Sequence, residues 1–169
     1  MVIEEKVTIE APLGVVWQVF SGFENWDDWT SACQMCHYQE GSEMVSGACV
    51  SFVVKPFVFP VQVAPRITRC DPGREVVWEG GRLGIHAVHT WSFGEKEGKV
   101  ILSSSERFSG PLLGLGRLFF LPQRLHRLTN RLLVGIKEEA ERRVRGQDAA
   151  RRIRLSQNPP EAGEPAGGG

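Results

Sequence analysis

The stretch PLLGLGRLFFLPQRLHRLTNRLLVGIKEEAERRVR, Pro111 to Arg145, decides how the rest of the chain is arranged. From Leu118 onward Leu121, Leu125, Leu128, Leu132, Ile136, Ala140 and Val144 recur three or four residues apart. At 3.6 residues per turn this lays one apolar stripe along an α-helix and leaves Arg124, Arg127, Arg131 and Lys137 on other faces. Pro122 either begins the straight part of that helix or kinks it. No second helix of comparable length precedes it, and almost everything from Val45 to Phe108 reads as strand. One long amphipathic helix on one antiparallel sheet is the simplest way to bury both apolar faces, which makes the chain α+β.

Upstream, Val2 to Ile9 alternates, with Ile3, Val7 and Ile9 on one face, and reads as a first strand. Ala11-Pro12 breaks it, and Leu13, Val16, Trp17 and Phe20 then give a short helical stripe stopped by Ser21-Gly22. Phe23 to Trp29 forms a second short helix or turn. Trp17, Trp26 and Trp29 fall close together and mark a heavily packed corner. Six strands follow: Gln34 to Glu40, Ala48 to Lys55, Phe59 to Cys70, Glu75 to Gly80, Gly84 to Phe93 and Lys99 to Phe108. Between them stand turn signals such as Asp71-Pro72-Gly73 and Gly80-Gly81. About seven strands in all, joined by short turns, predict an antiparallel meander. Pro60 and Pro65 are awkward inside the third of the six and point to an edge, a bulge or a late start.

At 169 residues the chain suits one domain with a substantial core, and its 41% hydrophobic and 24% charged content is that of an ordinary globular protein. Net charge is zero but unevenly placed: residues 1–110 carry 9 Lys/Arg against 14 Asp/Glu, and residues 111–169 carry 11 against 6. A basic helix face attracts nucleic acid or anionic lipid. Here Glu138, Glu139 and Glu141 interrupt the run, which favours a solvated face. The basic residues are also not interleaved with aromatics on the sheet, so no nucleic-acid partner is expected. After Arg145 the apolar period ends, so residues 1–145 form the expected domain and 146–169 a tail without order, in which Arg151-Arg152-Ile153-Arg154 is a weak basic contact at most. Glu4, Glu5 and Lys6 fall where a signal peptide would be apolar, and no apolar run approaches the ~20 residues of a membrane span. A cytoplasmic location, with Cys33, Cys36, Cys49 and Cys70 reduced, is the expectation.

The order and spacing of several short motifs bear a resemblance. They are Ala11-Pro12 with Val16-Trp17, Trp26 and Trp29, then Cys70-Asp71-Pro72-Gly73-Arg74 leading to Trp78-Glu79-Gly80. His89-Thr90-Trp91-Ser92-Phe93 and Ser105-Glu106-Arg107-Phe108-Ser109-Gly110 complete the set. From Val2 to Arg143 the chain resembles the START-like, or SRPBCC, superfamily, which includes birch-pollen-allergen-like and polyketide cyclase/dehydrase-like proteins. The resemblance implies a helix-grip fold, a curved sheet gripping the long helix with an apolar cavity between them. It names no reaction, because members include carriers, receptors and ring-closing enzymes.

Strand period assigns the faces. Ile85, Ala87, His89, Trp91 and Phe93 share the more apolar face of their strand, and Leu102, Ser104, Glu106 and Phe108 share that of the next. Val76 and Trp78 point the same way. Trp78, Ile85, His89, Trp91, Phe93, Leu102, Ser104, Glu106 and Phe108, with Leu121, Leu125 and Leu128 of the helix, are the expected cavity lining, suited to a hydrophobic molecule with one or two polar atoms. His89 and Glu106 are the candidate titratable groups inside it. They form an acid/base pair if they are close, or each is satisfied separately by a backbone group or an arginine. Arg107, adjacent on the strand, faces away, so the partner of Glu106 is His89 or a helix arginine.

Cys33-Gln34-Met35-Cys36-His37 invites a metal reading, but Cys49 and Cys70 stand alone and strand alternation puts Cys33 and Cys36 on opposite faces. No metal and no cofactor are expected. Leu113-Gly114-Leu115-Gly116 lacks the lysine of a phosphate loop. Pro111 to Phe120 reads either as a hinge that gates the cavity mouth or touches a membrane surface peripherally, or as ordinary capping of the sheet end. The expected function is binding or transport of a lipid- or polyketide-like molecule. A cyclase or dehydratase using His89 and Glu106, and an accessory protein using the basic helix and tail, are the alternatives.

Overall fold

The structure, a computed structural model, describes residues 1–55, 59–82, 84–111, 114 and 121–157, the side chains of Leu121 and Leu155 excepted. In chain order it forms β1 (Val2–Ile9), α1 (Leu13–Ser21), a 3-10 turn (Phe23–Asn25) and α2 (Trp26–Trp29). Then come β2 (Gln34–Glu40), β3 (Cys49–Val54), β4 (Val61–Val63), β5 (Arg66–Asp71), β6 (Glu75–Arg82), β7 (Ile85–Lys96), β8 (Lys99–Ser109) and α3 (Leu121–Gln157). The hinge reading of Pro111 to Phe120 and the glycine pair at Gly114 and Gly116 fall largely outside the described residues.

All strands join one antiparallel sheet ordered β1-β8-β7-β6-β5-β3-β2, with β4 paired to β3. Strands β5 to β8 are the expected meander. The first strand instead pairs with the last, Val2 opposite Arg107 and Ile9 opposite Val100. The α1 and α2 excursion therefore carries the chain from one edge of the sheet to the other, and the sheet curls about α3. The segment read as one strand from Phe59 to Cys70 is two, β4 and β5, split at Ala64-Pro65. Proline has no N–H for the ladder, and the Pro65 carbonyl turns to accept the Val50 N–H at 3.0 Å.

Leu133, Ile136 and Ala140 of α3 are completely buried, and this part of the helix packs on β1 and α1. Gly135 makes the approach possible. A Cβ there would stand 3.1 Å from Thr30 Cβ and 3.2 Å from the Trp29 ring. At the other end of the core Phe20 meets Trp91 and Phe93 edge-on, with ring centroids 5.3 and 5.1 Å apart. It also stacks on Trp78 at 6.3 Å. Each such pair contributes ~0.5–1.5 kcal/mol beyond area burial.

The helix does not stop at Arg145. It has 37 residues, roughly 55 Å at 1.5 Å per residue, so residues 146–157 are helical where composition led us to expect no order. They lost the apolar period because they leave the sheet, and the arginines, alanines and glutamines there are still good helix formers. Residues 158–169 are outside the described set. No helix among the described residues is long and apolar enough to cross a membrane.

Candidate functional site

Toward its start, α3 stands off the sheet. Leu125, Leu128, Thr129 and Leu132 roof a cavity of about 600 Å³ whose floor is β6, β7 and β8. Register builds that floor: Trp78 lies opposite His89, and His89 opposite Glu106. One step along, Gly80 faces Ala87 and Ala87 faces Phe108. The far wall is Phe52, Val54, Val61, Val63 and Pro65, while Gln39, Gln62 and Arg82 add polar groups. The Arg82 guanidinium donates to the Gln62 carbonyl, which ties the end of β6 to β4.

Trp78, Ile85, His89, Trp91, Glu106, Phe108, Leu125 and Leu128 line the space, as strand and helix period assign them. Phe93, Leu102 and Ser104 share the inner face yet do not line it. Phe93 lies further along β7 under α1, edge-on to Trp17 at 5.6 Å. Leu102 is completely buried in the core. Ser104 is also buried, and acts on the site through His89. The Leu121 side chain lies outside the described residues.

The His89 ring stacks on Trp91 with centroids 4.3 Å apart and meets Trp78 edge-on at 5.7 Å. Its Nε2 is 2.7 Å from Ser104 Oγ. Burial pulls its pKa down to about 3, because a charged imidazole would be stripped of water there. Its Nδ1 is 3.8 Å from Glu106 Oε1, too far for a hydrogen bond. Among the described residues no hydrogen bond reaches the Glu106 carboxyl. The residual 19% exposure of that side chain opens on the cavity it lines, and burial pushes its pKa up to about 7. Among the described residues the pair therefore meets neither arginine nor backbone. His89 Nε2 is paired with the Ser104 hydroxyl, and Glu106 is left facing the cavity. A carboxyl close to half-protonated at neutral pH can donate or accept, as a ligand anchor or as a general acid or base.

Three features escaped the sequence reading. Glu5 of β1 lies opposite Ser104, hence on the inner face, and its Oε1 meets His126 Nδ1 of α3 at 2.7 Å. Its phase with Ile3 and Val7 was the available signal. Thr129 is buried among the leucines of the helix stripe. The Trp91 indole N–H is buried without a partner among the described residues, an orphan donor in the cavity wall.

Cys33 and Cys36 are not on opposite faces. Both are buried, with their sulfurs 3.3 Å apart. Between them Met35 takes a left-handed backbone, φ 55°, and the β2 register shifts between Gln34 and His37. This extra step returns Cys36 to the inner side. Among the described residues no group of three His, Cys, Asp or Glu converges as a metal site.

A family model described as "Polyketide cyclase / dehydrase and lipid transport" matches residues 1–141. No curated protein sequence matches the chain. Solved structures similar in fold include TTHA0849 from Thermus thermophilus, with a TM-score of 0.71 at 12% identity, covering 83% of this chain and 97% of that one. The ZhuI aromatase/cyclase from Streptomyces sp. R1128 gives 0.69 at 19% identity, with 85% and 95% covered. Ara h 8.0201 gives 0.65 at 14%, with 83% and 97% covered. At such identities the likeness extends to the fold alone.

Proposed function

The chain belongs to the polyketide cyclase / dehydrase and lipid transport family, and from that premise we propose that it binds a hydrophobic small molecule between sheet and helix. The observation that carries the reading is the cavity of about 600 Å³, walled mainly by tryptophan, phenylalanine and aliphatic side chains. That volume is in the range of drug-sized ligand pockets, about 300–1,000 Å³. The few polar groups set the ligand's chemistry. A carbonyl or hydroxyl oxygen suits the protonated form of Glu106, and an apolar or aromatic body suits Trp78, Trp91 and the leucines of α3. Native mass spectrometry of the protein purified from its own host, followed by denaturing extraction, tests this. A stoichiometric hydrophobic ligand supports the reading. An empty protein that also fails to take up apolar fluorescent probes overturns it.

A second reading, catalysis of ring closure or dehydration, is favoured by the Glu106 carboxyl with its pKa near 7 beside neutral His89. Here Glu106 would move the proton, and His89 and Ser104 would hold the floor of the site in place. Substitution separates the two readings. For an enzyme Glu106→Gln abolishes turnover of the extracted ligand or its precursor and leaves affinity within a few-fold. For a carrier it changes affinity alone.

A further inference from the structure

We propose that Cys33, in the cavity wall, and its neighbour Cys36 are a thiol redox couple, closed to an intramolecular disulfide by a small peroxide. The assignment rests on geometry. Regular alternation would separate these side chains, yet the left-handed Met35 and the register shift in β2 bring their sulfurs to 3.3 Å. Non-glycine residues rarely adopt that backbone. It is held here by the Met35 N–H donating to Asp27 Oδ2 at 3.0 Å. A disulfide needs its sulfurs at about 2.05 Å, so the remaining approach is just over an ångström. Cys49 and Cys70 are engaged elsewhere, with Gln39 Oε1 at 3.6 Å and the Met44 carbonyl at 2.9 Å respectively.

The two sulfurs have different parts. Cys33 lines the cavity, so an oxidant small enough to enter meets it first. Contact with the Cys33 thiol, and then burial, hold the Cys36 thiol well above the usual cysteine range, so Cys36 is the less ready of the two to attack the peroxide. The Cys33 sulfur attacks one oxygen of hydrogen peroxide, the O–O bond breaks, water leaves and Cys33 becomes a sulfenic acid. The Cys36 sulfur then attacks Cys33 and expels the hydroxyl as a second water. The two thiols lose two electrons and two protons in all, and the peroxide is reduced to two waters. At 2% and 6% exposure the pair is shielded from bulky disulfides.

The test uses the full chain, reduced and then treated with hydrogen peroxide, denatured, alkylated and digested with trypsin. The segment between Lys6 and Arg66 holds Cys33, Cys36 and Cys49. Lys55 precedes Pro56, a bond trypsin spares, so all three stay on one peptide. The expected product is that peptide two hydrogens lighter and carrying one alkyl group, on Cys49, with dithiothreitol restoring full alkylation. In Cys36→Ser the sulfenic acid on Cys33 should persist and be trapped by dimedone. Independent alkylation of Cys33 and Cys36 after peroxide, or a bridge from either to Cys49, overturns the proposal, and this readout on the native chain stands even if the variant does not fold. Because Cys33 is in the wall, oxidation should also shift the affinity of anilinonaphthalene sulfonate at least threefold. Bridge formation without that shift overturns the link to the cavity. Bridge formation is read with no ligand present, so its failure is distinct from failure of the binding reading.

Discussion

His89 and Glu106 sit side by side across β7 and β8 with Nδ1 and Oε1 3.8 Å apart, and burial moves both toward their neutral forms. At neutral pH His89 is uncharged and Glu106 is close to half-protonated, so the two are polar neighbours on an apolar floor and not an ion pair. The shifts have opposite consequences for stability, which makes the arrangement measurable.

Glu106 binds its proton more tightly in the folded state than in the unfolded chain, about 7 against an ordinary 4.5. The native state therefore holds more protons than the unfolded state between those values, and stability falls as pH rises through them. Glu106→Gln removes this dependence. Its unfolding free energy relative to the parent should climb from pH 4.5 to 7, by up to ~1.4 kcal/mol per pH unit. Urea titrations at half-unit pH steps read it directly. A difference that stays flat with pH would mean that Glu106 is solvated.

His89 does the reverse. Its folded value of about 3 lies below the ordinary 6.5, so the unfolded chain binds the extra proton and stability falls as pH drops from 6.5 toward 3. His89→Phe keeps an aromatic ring on Trp91, leaves Ser104 without its 2.7 Å partner and removes the titration. Relative to the parent it should carry a roughly constant loss of ~1–3 kcal/mol for the orphaned hydroxyl at neutral pH, shrinking as the solution is acidified. A loss that grows in acid instead would show that the imidazole is charged in the folded protein.

Ala87 lies between Gly80 and Phe108 on the cavity floor. Ala87→Trp should fill the space the ligand would take. Apolar probe affinity should fall at least tenfold while the far-ultraviolet circular dichroism spectrum is kept. Unchanged affinity in a folded variant would put the ligand elsewhere, and would count against the proposed function.

The inner faces of β7 and β8 were readable because one side of an antiparallel sheet is wet, so polarity alternates with the pleat. Period two reports a face but not a register, so the contact between His89 and Glu106 emerged only when the strands were paired. Where the backbone leaves its period the reading failed. Left-handed Met35 inverted the phase of Cys36, and Pro65 cut a strand in two. Phe93 and Leu102 had the right face but the wrong position along it, because α1 covers that part of the sheet. The helix beyond Arg145 was missed for a different reason. Apolar period reports packing, and residues 146–157 have nothing to pack on.

The two glycines of α3 separate packing from propensity. Alanine is a better helix former than glycine by ~0.8–1.0 kcal/mol, so Gly→Ala in a helix stabilises by default. At Gly146 a Cβ would meet nothing within 4 Å, and Gly146→Ala should slow amide hydrogen exchange across residues 147–157. At Gly135 the same Cβ would press on Thr30 and Trp29 at 3.1 and 3.2 Å. Crowding of that kind costs ~1–3 kcal/mol, enough to outweigh the propensity gain. Gly135→Ala should therefore lower the unfolding free energy by ~1 kcal/mol in denaturant titrations, with the opposite sign to Gly146→Ala. If Gly135→Ala stabilises the protein instead, the helix does not lie as close to the α2 corner as the packing of Leu133 and Ile136 requires.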